Sequence, residues 1–515
     1  MLKKYIVLFC LNLAIFYAVN AQDTTAFHYS KNIRANNLSV YLHVLASDEF
    51  EGRETGHKGQ HLTAQYIAKN FDSIGIPPLT NGSFLQEYPL EMLNPQGVKI
   101  RVGEKSFEFL KDFYYLPGFQ DTVITQNEIV FLGYGIDDKN YSDYQNKIDL
   151  KDKIVIILAG DPINEKGISL VTKTEKLSDW STNWKKKITY AKSFHPAAIF
   201  MVVNSVENNV NSSRHIVEAA TIKTKETKKE ENIPYFYISK MMANKILGSR
   251  KRSVKKLQKK ILKDASFIHY FSFEFKSDIQ LNVIRNIDKL IASNVLGYIE
   301  GTDLKEDVIV ISAHMDHLGK SGDKIYYGAD DDGSGTCAIM EMAAAFSKAK
   351  REGHGPRRSI LFIAFSGEEK GLLGSKFYVE SPVFPLKNTI ADLNIDMIGR
   401  VDEKHINTPD YIYLIGSEKS KGLYQISENV NATYTHLELD YSFNEPGDPN
   451  RFFYRSDHYN FAKNNIPVIF YFNGTHADYH KPTDTVDKIN FGLLEKRARL
   501  VFLTAWSLAN PNKKK

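Results

Sequence analysis

Residues 308–317 read Val-Ile-Val-Ile-Ser-Ala-His-Met-Asp-His, an apolar run that ends in two histidines and a carboxylate. A short apolar run rich in β-branched residues predicts a strand buried on both faces. Similar runs at Ser359–Phe365 and Ile390–Ile395 are separated from it by helical segments at Gly335–Lys350 and Gly371–Val379. This alternation predicts an α/β fold in which a mostly parallel sheet is sandwiched by helices. The same pattern continues in strand-like runs at Tyr411–Ile415 and Ile466–Phe472 and in a helical segment at His458–Lys463.

Polar side chains follow these strands at the point where each strand ends. His314 and Asp316 follow the first strand. Glu368 and Glu369 follow the second, and Asp396 follows the third. Because the carboxyl ends of parallel strands meet at one edge of a sheet, these side chains are expected to converge. Two further polar segments are Gly-Ala-Asp-Asp-Asp-Gly-Ser-Gly at 328–335 and Asp-Tyr-His-Lys-Pro-Thr-Asp at 478–484.

Each of these groups has an ordinary explanation when it is taken alone. A histidine at a strand end is commonly a surface residue, adjacent glutamates commonly begin a helix, and aspartates before Gly-Ser commonly cap one. Together, however, converging carboxylates and imidazoles would repel and desolvate one another unless cations compensated their charge. Nitrogen and oxygen ligands without a thiolate cluster favour zinc, with manganese and cobalt as the alternatives.

Five motifs of the sequence occur together in one known family. They are His-Met-Asp-His at 314–317, Gly-Ala-Asp-Asp-Asp-Gly-Ser-Gly at 328–335, Ser-Gly-Glu-Glu-Lys-Gly-Leu-Leu-Gly-Ser at 366–375, Asn-Ile-Asp-Met-Ile-Gly-Arg at 394–400 and Tyr-His-Lys-Pro-Thr-Asp-Thr at 479–485. In this order they resemble the co-catalytic dizinc aminopeptidase family, whose relatives include glutamate carboxypeptidases and glutaminyl cyclases. The resemblance covers most of residues 275–510 and, more loosely, the loop 47–53 and the helix before residue 80.

The resemblance implies two Zn²⁺ ions per chain and a ligand set for each ion. His314 and Asp396 would hold one ion, and Glu369 and His480 would hold the other. Asp331 would bridge both ions. The activity implied is that of a zinc metallo-exopeptidase, in first place an aminopeptidase that removes N-terminal residues from peptide substrates.

The same resemblance assigns three further residues to catalysis. Glu368 has no metal to bind and would take a proton from the attacking water and pass it to the leaving amine. Asp316 would accept the second ring N–H of His314 and so set the tautomer of that ligand. Tyr479 would either stabilise the tetrahedral oxyanion or pack its ring beside the site.

Several neighbouring residues carry subsidiary predictions. Relatives have a cis peptide after the bridging aspartate, so the bond Asp331–Asp332 is predicted to be cis. Asp484 would either accept a hydrogen bond from His480 or cap the helical turn that follows it. His317 and His458 are interpreted as ordinary surface or core residues.

Residues 121–274 are predicted to form an inserted domain, which leaves 22–120 and 275–515 as a discontinuous catalytic domain. Short strand-like runs bounded by Gly, Pro and Asn predict a small β-rich unit. These runs are Glu128–Gly135, Lys153–Ala159 and Ala197–Val203. Together with Ile-Pro-Tyr-Phe-Tyr-Ile at 233–238 they resemble a protease-associated (PA) domain, and the discontinuous layout is implied by that resemblance.

The first residues have the pattern of an export signal. Lys3 and Lys4 precede an apolar run from Tyr5 to Val19, and Asn-Ala-Gln follows. The run is shorter than the ~20 apolar residues that a membrane-spanning helix needs. We therefore expect a signal peptide at 1–21, a secreted or periplasmic protein, and no integral membrane segment after cleavage. Cys337 would then be the single cysteine of the mature chain, so no intramolecular disulfide is expected.

Composition and charge exclude several classes of function. With 43% hydrophobic and 25% charged residues, the chain is predicted to be globular, and 515 residues predict more than one domain. A net charge of +5 over this length does not favour nucleic-acid binding. The basic stretch Arg250–Lys263 has an apolar stripe and is predicted to be a solvated amphipathic helix.

The residues leave other activities open. A carboxypeptidase or dipeptidase of the same family would use the same ligands, since the residues that read the substrate are not identifiable from the motifs. A glutaminyl cyclase or a non-catalytic binding protein on the same scaffold is disfavoured, because His314, Asp396 and Glu368 are all present. The oligomeric state is not predicted.

Overall fold

The structure is a computed structural model that describes residues 23–79, 81–94, 97–116, 121–144, 149–183, 185–217, 220–224, 233–248, 252–263, 272–445 and 447–511. The predicted signal peptide lies outside the described residues. The chain divides into two compact units. Unit 1 comprises the chain up to Leu90 and from Leu290 onward, and unit 2 comprises Glu91–Lys289.

The strands are numbered in chain order. They are β1 Leu85–Leu93, β2 Val98–Val102, β3 Lys105–Phe107, β4 Phe113–Tyr114, β5 Thr122–Leu132, β6 Asp137–Asp138, β7 Tyr141–Ser142, β8 Ile154–Leu158, β9 Ala198–Val202, β10 Thr221–Thr224, β11 Tyr235–Ile238, β12 Ser272–Val283, β13 Ile287–Ile299, β14 Leu304–His314, β15 Gly319–Ser321, β16 Lys324–Tyr326, β17 Arg358–Phe365, β18 Thr389–Ile395, β19 Tyr411–Gly416, β20 Glu438–Asp440 and β21 Val468–Phe472.

The α-helices are numbered in the same way. They are α1 Thr24–Ser30, α2 Ala35–Leu45, α3 Lys58–Ser73, α4 Asp179–Thr182, α5 Lys186–Lys192, α6 Val206–Val217, α7 Lys240–Leu247, α8 Val254–Lys263, α9 Gly335–Arg351, α10 Leu373–Glu380, α11 Lys421–Val430, α12 His458–Lys463 and α13 Phe491–Ala509. Within the described ranges, none of these helices has both the length and the apolar character needed to cross a membrane.

The sheet of unit 1 is parallel at its centre. Its strands lie in the order β1–β13–β17–β14–β18–β21–β19–β20. Strand β14 pairs in parallel with β17 and β18, and β18 pairs in parallel with β21. By contrast, β13 and β19 join this centre as antiparallel neighbours. The prediction of a mostly parallel sheet between helices is therefore confirmed, and antiparallel strands flank its centre.

Helices cover both faces of this sheet because its central strands carry apolar residues on both faces. Ile309 and Ile311 of β14 belong to a core that includes residues of α9 and α13. Val308 and Val310 point to the opposite face and pack in a second core with residues of α10 and α12. A strand buried on both faces reads as a continuous apolar run, which is the pattern of residues 308–313.

Unit 2 has its own sheet and its own core. The strands lie in the order β3–β2–β12–β5–β8–β9–β11–β4. Strands β5, β8, β9 and β11 pair in parallel, and the core also contains residues of α5, α7 and α8. The unit therefore combines helices with a mixed sheet, where the sequence predicted a small β-rich domain. Its assignment as a PA domain stays a prediction.

The boundaries of unit 2 differ from the predicted insert at 121–274. Strands β2, β3 and β4 precede residue 121 and pair inside the sheet of unit 2. At the other end, β12 continues to Val283 and pairs with β2 and β5 along its length. These pairings assign residues 91–120 and 275–289 to the insert rather than to the predicted catalytic domain.

Candidate metal centre

The first group of candidate ligands lies where β14 and β18 end. The Nε2 atom of His314 lies 3.2 Å from Oδ1 of Asp331 and 3.5 Å from Oδ1 of Asp396. All three residues are buried. Their nitrogen and oxygen atoms are close enough to hold one metal ion together.

A second group shares Asp331 with the first. The Nε2 atom of His480 lies 3.1 Å from Oδ2 of Asp331 and 3.4 Å from Oε2 of Glu369. The Nδ1 atom of His317 lies 2.8 Å from Oε1 of Glu369 and 3.8 Å from Oδ2 of Asp331. Asp331 therefore presents Oδ1 to the first group and Oδ2 to the second, which is the arrangement expected of a bridging carboxylate.

The five residues predicted as ligands are thus brought together by the fold, but they are not alone. His317 was interpreted as an ordinary surface or core residue, and the structure places it with Asp331 and Glu369 among atoms able to hold a metal ion. In the sequence, the available signal was its position at the strand end, three residues after His314. That signal does not distinguish a ligand from a buried neighbour.

The charge of this cluster favours a cation. Among the described residues, Oδ2 of Asp331, Oε1 of Glu369 and both ring nitrogens of His317 are buried without a hydrogen bond. Buried polar atoms without partners are costly unless something else satisfies them. A set of carboxylate oxygens and imidazole nitrogens with no thiolate suits zinc. The residues present therefore fit a zinc site.

The histidine pKa values are shifted by the same excess of negative charge. Burial by itself lowers the pKa of His314, but the carboxylates of Glu368 and Asp396 outweigh it and raise this pKa well above its ordinary value. Burial likewise lowers the pKa of His480, yet the neighbouring carboxylates of Asp331 and Glu369 raise it to about 10. The carboxylates thus attract positive charge strongly.

Asp316 contacts His314 in a different way from the one predicted. The Nδ1 atom of His314 lies 3.1 Å from the main-chain oxygen of Asp316, while the nearer carboxylate oxygen is 3.8 Å away. The carboxylate instead accepts hydrogen bonds from the hydroxyl of Thr55 at 2.5 Å and from the N–H of Glu368 at 3.2 Å. The main chain therefore orients the ring, and the side chain of Asp316 positions the strand end that carries Glu368.

The carboxylates of Asp332 and Asp484 hold the loop that carries Asp331. The peptide bond Asp331–Asp332 is cis, as the sequence predicted. The carboxylate of Asp332 accepts from the N–H groups of His314 and Met397, which ties together two strand ends. Asp484 accepts from the N–H of Asp331 at 3.2 Å. Both predicted roles of Asp484 are therefore replaced by a contact to the loop itself.

Glu368 lies beside the ligands. Its Oε2 atom is 3.9 Å from Nε2 of His314, farther than the carboxylates of Asp331 and Asp396. Burial raises the pKa of Glu368 well above its ordinary value, and the neighbouring carboxylates of Glu369 and Asp396 raise it further. A carboxyl group placed in this way is suited to exchanging a proton with a reactant at the metal site.

A pocket opens beside the two groups. Asp331, Glu368, Asp396 and His480 line it on the polar side. Its remaining lining residues are mostly apolar or aromatic: Met397, Phe452, Arg455, Phe470, Phe472, Thr475 and Tyr479.

Tyr479 has features of both roles that were considered for it. Its ring stacks on the ring of His480 with centroids 3.8 Å apart, which is a packing contact. Its hydroxyl accepts a hydrogen bond from Arg455 at 3.0 Å and lines the pocket. Burial and the nearby carboxylates raise its pKa, so the hydroxyl stays protonated and able to donate.

Comparison with proteins of known structure defines the class of fold. An aminopeptidase from Aneurinibacillus sp. strain AM-1 superimposes with a TM-score of 0.55 at 20% identity, covering 95% of this chain and 97% of that one. The zinc aminopeptidase of Bacillus subtilis gives a TM-score of 0.50 at 18% identity, covering 94% and 97%. The fold is therefore that of the zinc aminopeptidases of known structure.

Sequence comparison then finds a family to which part of the chain is similar. Residues 294–505 match the sequence model of Peptidase family M28. A probable leucine aminopeptidase of Arthroderma otae is 30% identical over 214 residues, which are 40% of this chain and 56% of that protein. The chain thus spans about half the length of the curated relatives it matches. Residues 294–505 are thus similar to Peptidase family M28.

Proposed function

We propose that this protein is an exported zinc metallo-exopeptidase, and specifically an aminopeptidase that hydrolyses N-terminal residues from peptides. One observation carries the proposal: two groups of candidate ligands share Asp331, and Glu368 lies beside them. The family of residues 294–505 and the names of the relatives support a peptidase. Export rests on the leader at 1–21.

The residues divide the work of the reaction between them. Two zinc ions, held by His314 with Asp396 and by Glu369 with His480 and bridged by Asp331, would polarise the scissile carbonyl and acidify the attacking water. Glu368 takes the proton of that water and returns it to the amine that leaves when the peptide bond breaks.

The pocket supports cleavage after apolar side chains. Met397, Phe452, Phe470 and Phe472 form an apolar wall next to the ligands. An apolar wall favours an aliphatic or aromatic residue of the substrate because both surfaces leave water on binding. The matching relatives named leucine aminopeptidases agree with this preference.

A carboxypeptidase is the second candidate, and Arg455 is the observation that favours it. This residue lines the same pocket, and a guanidinium group binds a carboxylate well. A panel of peptides with free or acetylated amino termini, and with free or amidated carboxyl termini, separates the two activities. We expect acetylation to abolish cleavage and amidation to leave it intact; the reverse pattern would establish the carboxypeptidase.

The adjacent pair Glu368 and Glu369 tests the mechanism. Glu368→Gln keeps the shape of the side chain but cannot take a proton, so it should retain both zinc ions and lose ~10² to 10⁴-fold in kcat. Glu369→Gln replaces an anionic ligand by a weak neutral one and should lose one zinc ion. Elemental analysis and kcat at saturating zinc measure the two effects.

A third glutamate provides the matched control. Glu341 is buried in unit 1 and lies outside both ligand groups, so Glu341→Gln should keep both zinc ions and normal turnover. Near-normal kcat in Glu368→Gln, or zinc loss that follows Glu368 instead of Glu369, would show that the assigned roles are wrong.

A further inference from the structure

The second ligand group contains one imidazole more than the family resemblance implies. We propose that His317 is a direct ligand of the second metal ion through its Nδ1 atom. The second ion is then held by His317, His480, Glu369 and the bridging Asp331. The inference rests on the two-metal site of the proposed function and adds to it a ligand that the five-residue set lacks.

The geometry around His317 points to a metal ion shared with Glu369 and Asp331. Its Nδ1 lies 2.8 Å from Oε1 of Glu369 and 3.8 Å from Oδ2 of Asp331. Ligand atoms around a tetrahedral zinc ion at 2.0–2.1 Å are roughly 3.3 Å apart, and the two observed distances bracket that value. Yet within the described residues none of these three atoms makes a directed hydrogen bond. Atoms this close that do not point at each other are placed to point at a common ion.

A buried imidazole whose nitrogens bind nothing is energetically unfavourable. The side chain of His317 is fully buried, and both of its ring nitrogens lack a hydrogen-bond partner among the described residues. A buried imidazole normally satisfies at least one nitrogen. Coordination through Nδ1 supplies that partner and also accounts for the unpaired oxygens of Asp331 and Glu369.

The surrounding backbone fixes the ring in this position. The N–H of His317 donates to the main-chain oxygen of Arg53 at 3.2 Å. Gly328 packs directly against the ring: a Cβ atom there would lie 2.4 Å from Cγ of His317. Gly328 also has a φ of +55°, which disfavours other residues. The loop therefore packs closely around the imidazole and holds it beside the carboxylates of Asp331 and Glu369.

Two consequences distinguish this arrangement from a five-ligand site. The second ion has four protein ligands and the first has three, so the second ion should bind more tightly. The side chain of His480 is 37% exposed, whereas that of His317 is fully buried. Loss of His480 should therefore weaken the second site without abolishing it, because three ligands remain.

Zinc titration against a competing chelator tests these consequences in the full-length protein. We expect His317→Gln to lower the affinity for the second ion by more than ~100-fold, because loss of a residue that only supports a ligand already lowers metal affinity by 10–100-fold. His480→Gln should still bind the second ion, with lower affinity. The variant with both substitutions should bind one ion only. His458→Gln is the matched control, since His458 is equally buried in unit 1 but outside both ligand groups. Unchanged affinity of the second ion in a folded His317→Gln protein would overturn the inference.

A crystal structure of the zinc-loaded wild type provides a measurement that needs no variant to fold. We expect Nδ1 of His317 at about 2.0–2.1 Å from the second ion. Two bound ions, with Nδ1 of His317 outside coordination distance of the second ion, would overturn this inference alone. Fewer than two ions in zinc-saturated wild type would overturn the proposed two-metal function as well.

Discussion

Arg53 is predicted to be the main structural support of the candidate metal centre. Its guanidinium is fully buried and donates to four main-chain oxygens within 3.0 Å. These belong to Met315 at 2.8 Å, Leu45 at 2.9 Å, Tyr327 at 2.6 Å and Gly328 at 2.8 Å. One side chain thus joins the end of α2, the strand end after His314 and the loop that carries Asp331.

The expected cost of Arg53→Met follows from these contacts. Methionine has a similar length but no donor, so four carbonyl groups lose this donor, although that of Gly328 keeps the N–H of Gly333 at 3.2 Å. Each unsatisfied buried group costs ~1–3 kcal/mol, and local relaxation with entry of water recovers part of the sum. A hydrogen bond that involves a charged group contributes ~1.5–3 kcal/mol. We expect unit 1 to lose ~4 kcal/mol of its free energy of unfolding.

Urea unfolding measures this loss in the full-length protein. Trp180 and Trp184 lie in unit 2, so replacing both by Phe leaves Trp506 as a fluorescence signal for unit 1. Zinc is removed from every sample, so that metal binding does not contribute. Arg34→Met is the control, because Arg34 is an exposed arginine of the same unit. A loss below about 1 kcal/mol for Arg53→Met would refute the role assigned to these hydrogen bonds.

Three further predictions concern other parts of the chain. Burial lowers the pKa of Lys187 from 10.5 to about 8, so between pH 8 and 10.5 the unfolded state binds more protons and the stability of unit 2 rises with pH. Lys187→Met should remove this rise, whereas Lys166→Met, at an exposed lysine, should keep it. Urea unfolding across this pH range measures both. The N–H of Asn94 donates to the main-chain oxygen of Asn286 at 3.1 Å, so a short Gly-Ser linker can replace residues 95–285. The remaining chain should still bind zinc. Loss of zinc from a soluble, monodisperse deletion protein would contradict an independent insert. The exported protein should begin at Gln22, and an intact mass that retains Met1 would contradict cleavage of the leader.

Much of unit 1 could be predicted from the sequence because its signals are local. The apolar run Val308–Ala313 lies inside β14, and the segment His458–Lys463 coincides with α12. A strand buried on both faces must be apolar along its whole length, so it is visible in any short window of sequence. The polar residues that follow such strands mark the edge where a ligand site forms. His314, Glu369 and Asp396 stood out in this way, whereas the ligand set as a whole, with Asp331 and His480, was implied by the family motifs.

The boundaries of unit 2 could not be predicted in the same way. Strands β2 and β12 pair with each other although about 180 residues separate them in the chain. Pairing between strands so distant depends on which hydrophobic surfaces meet, and the sequence of either strand contains no record of its partner. Only the folded sheet assigns residues 91–120 and 275–289 to the insert.

The candidate site shows the same difference between local and long-range information. Residue type and order at strand ends determined the chemistry: His314, Asp331 and Glu369 are ligand types on neighbouring loops of one sheet edge. The tertiary structure decided the placement of His317, because its ring is fixed by Gly328 and by the main chain of Arg53, which lies 264 residues earlier in the chain. Coordination depends on atoms placed to within a few tenths of an ångström, and that precision comes only from contacts between distant segments packed into one core.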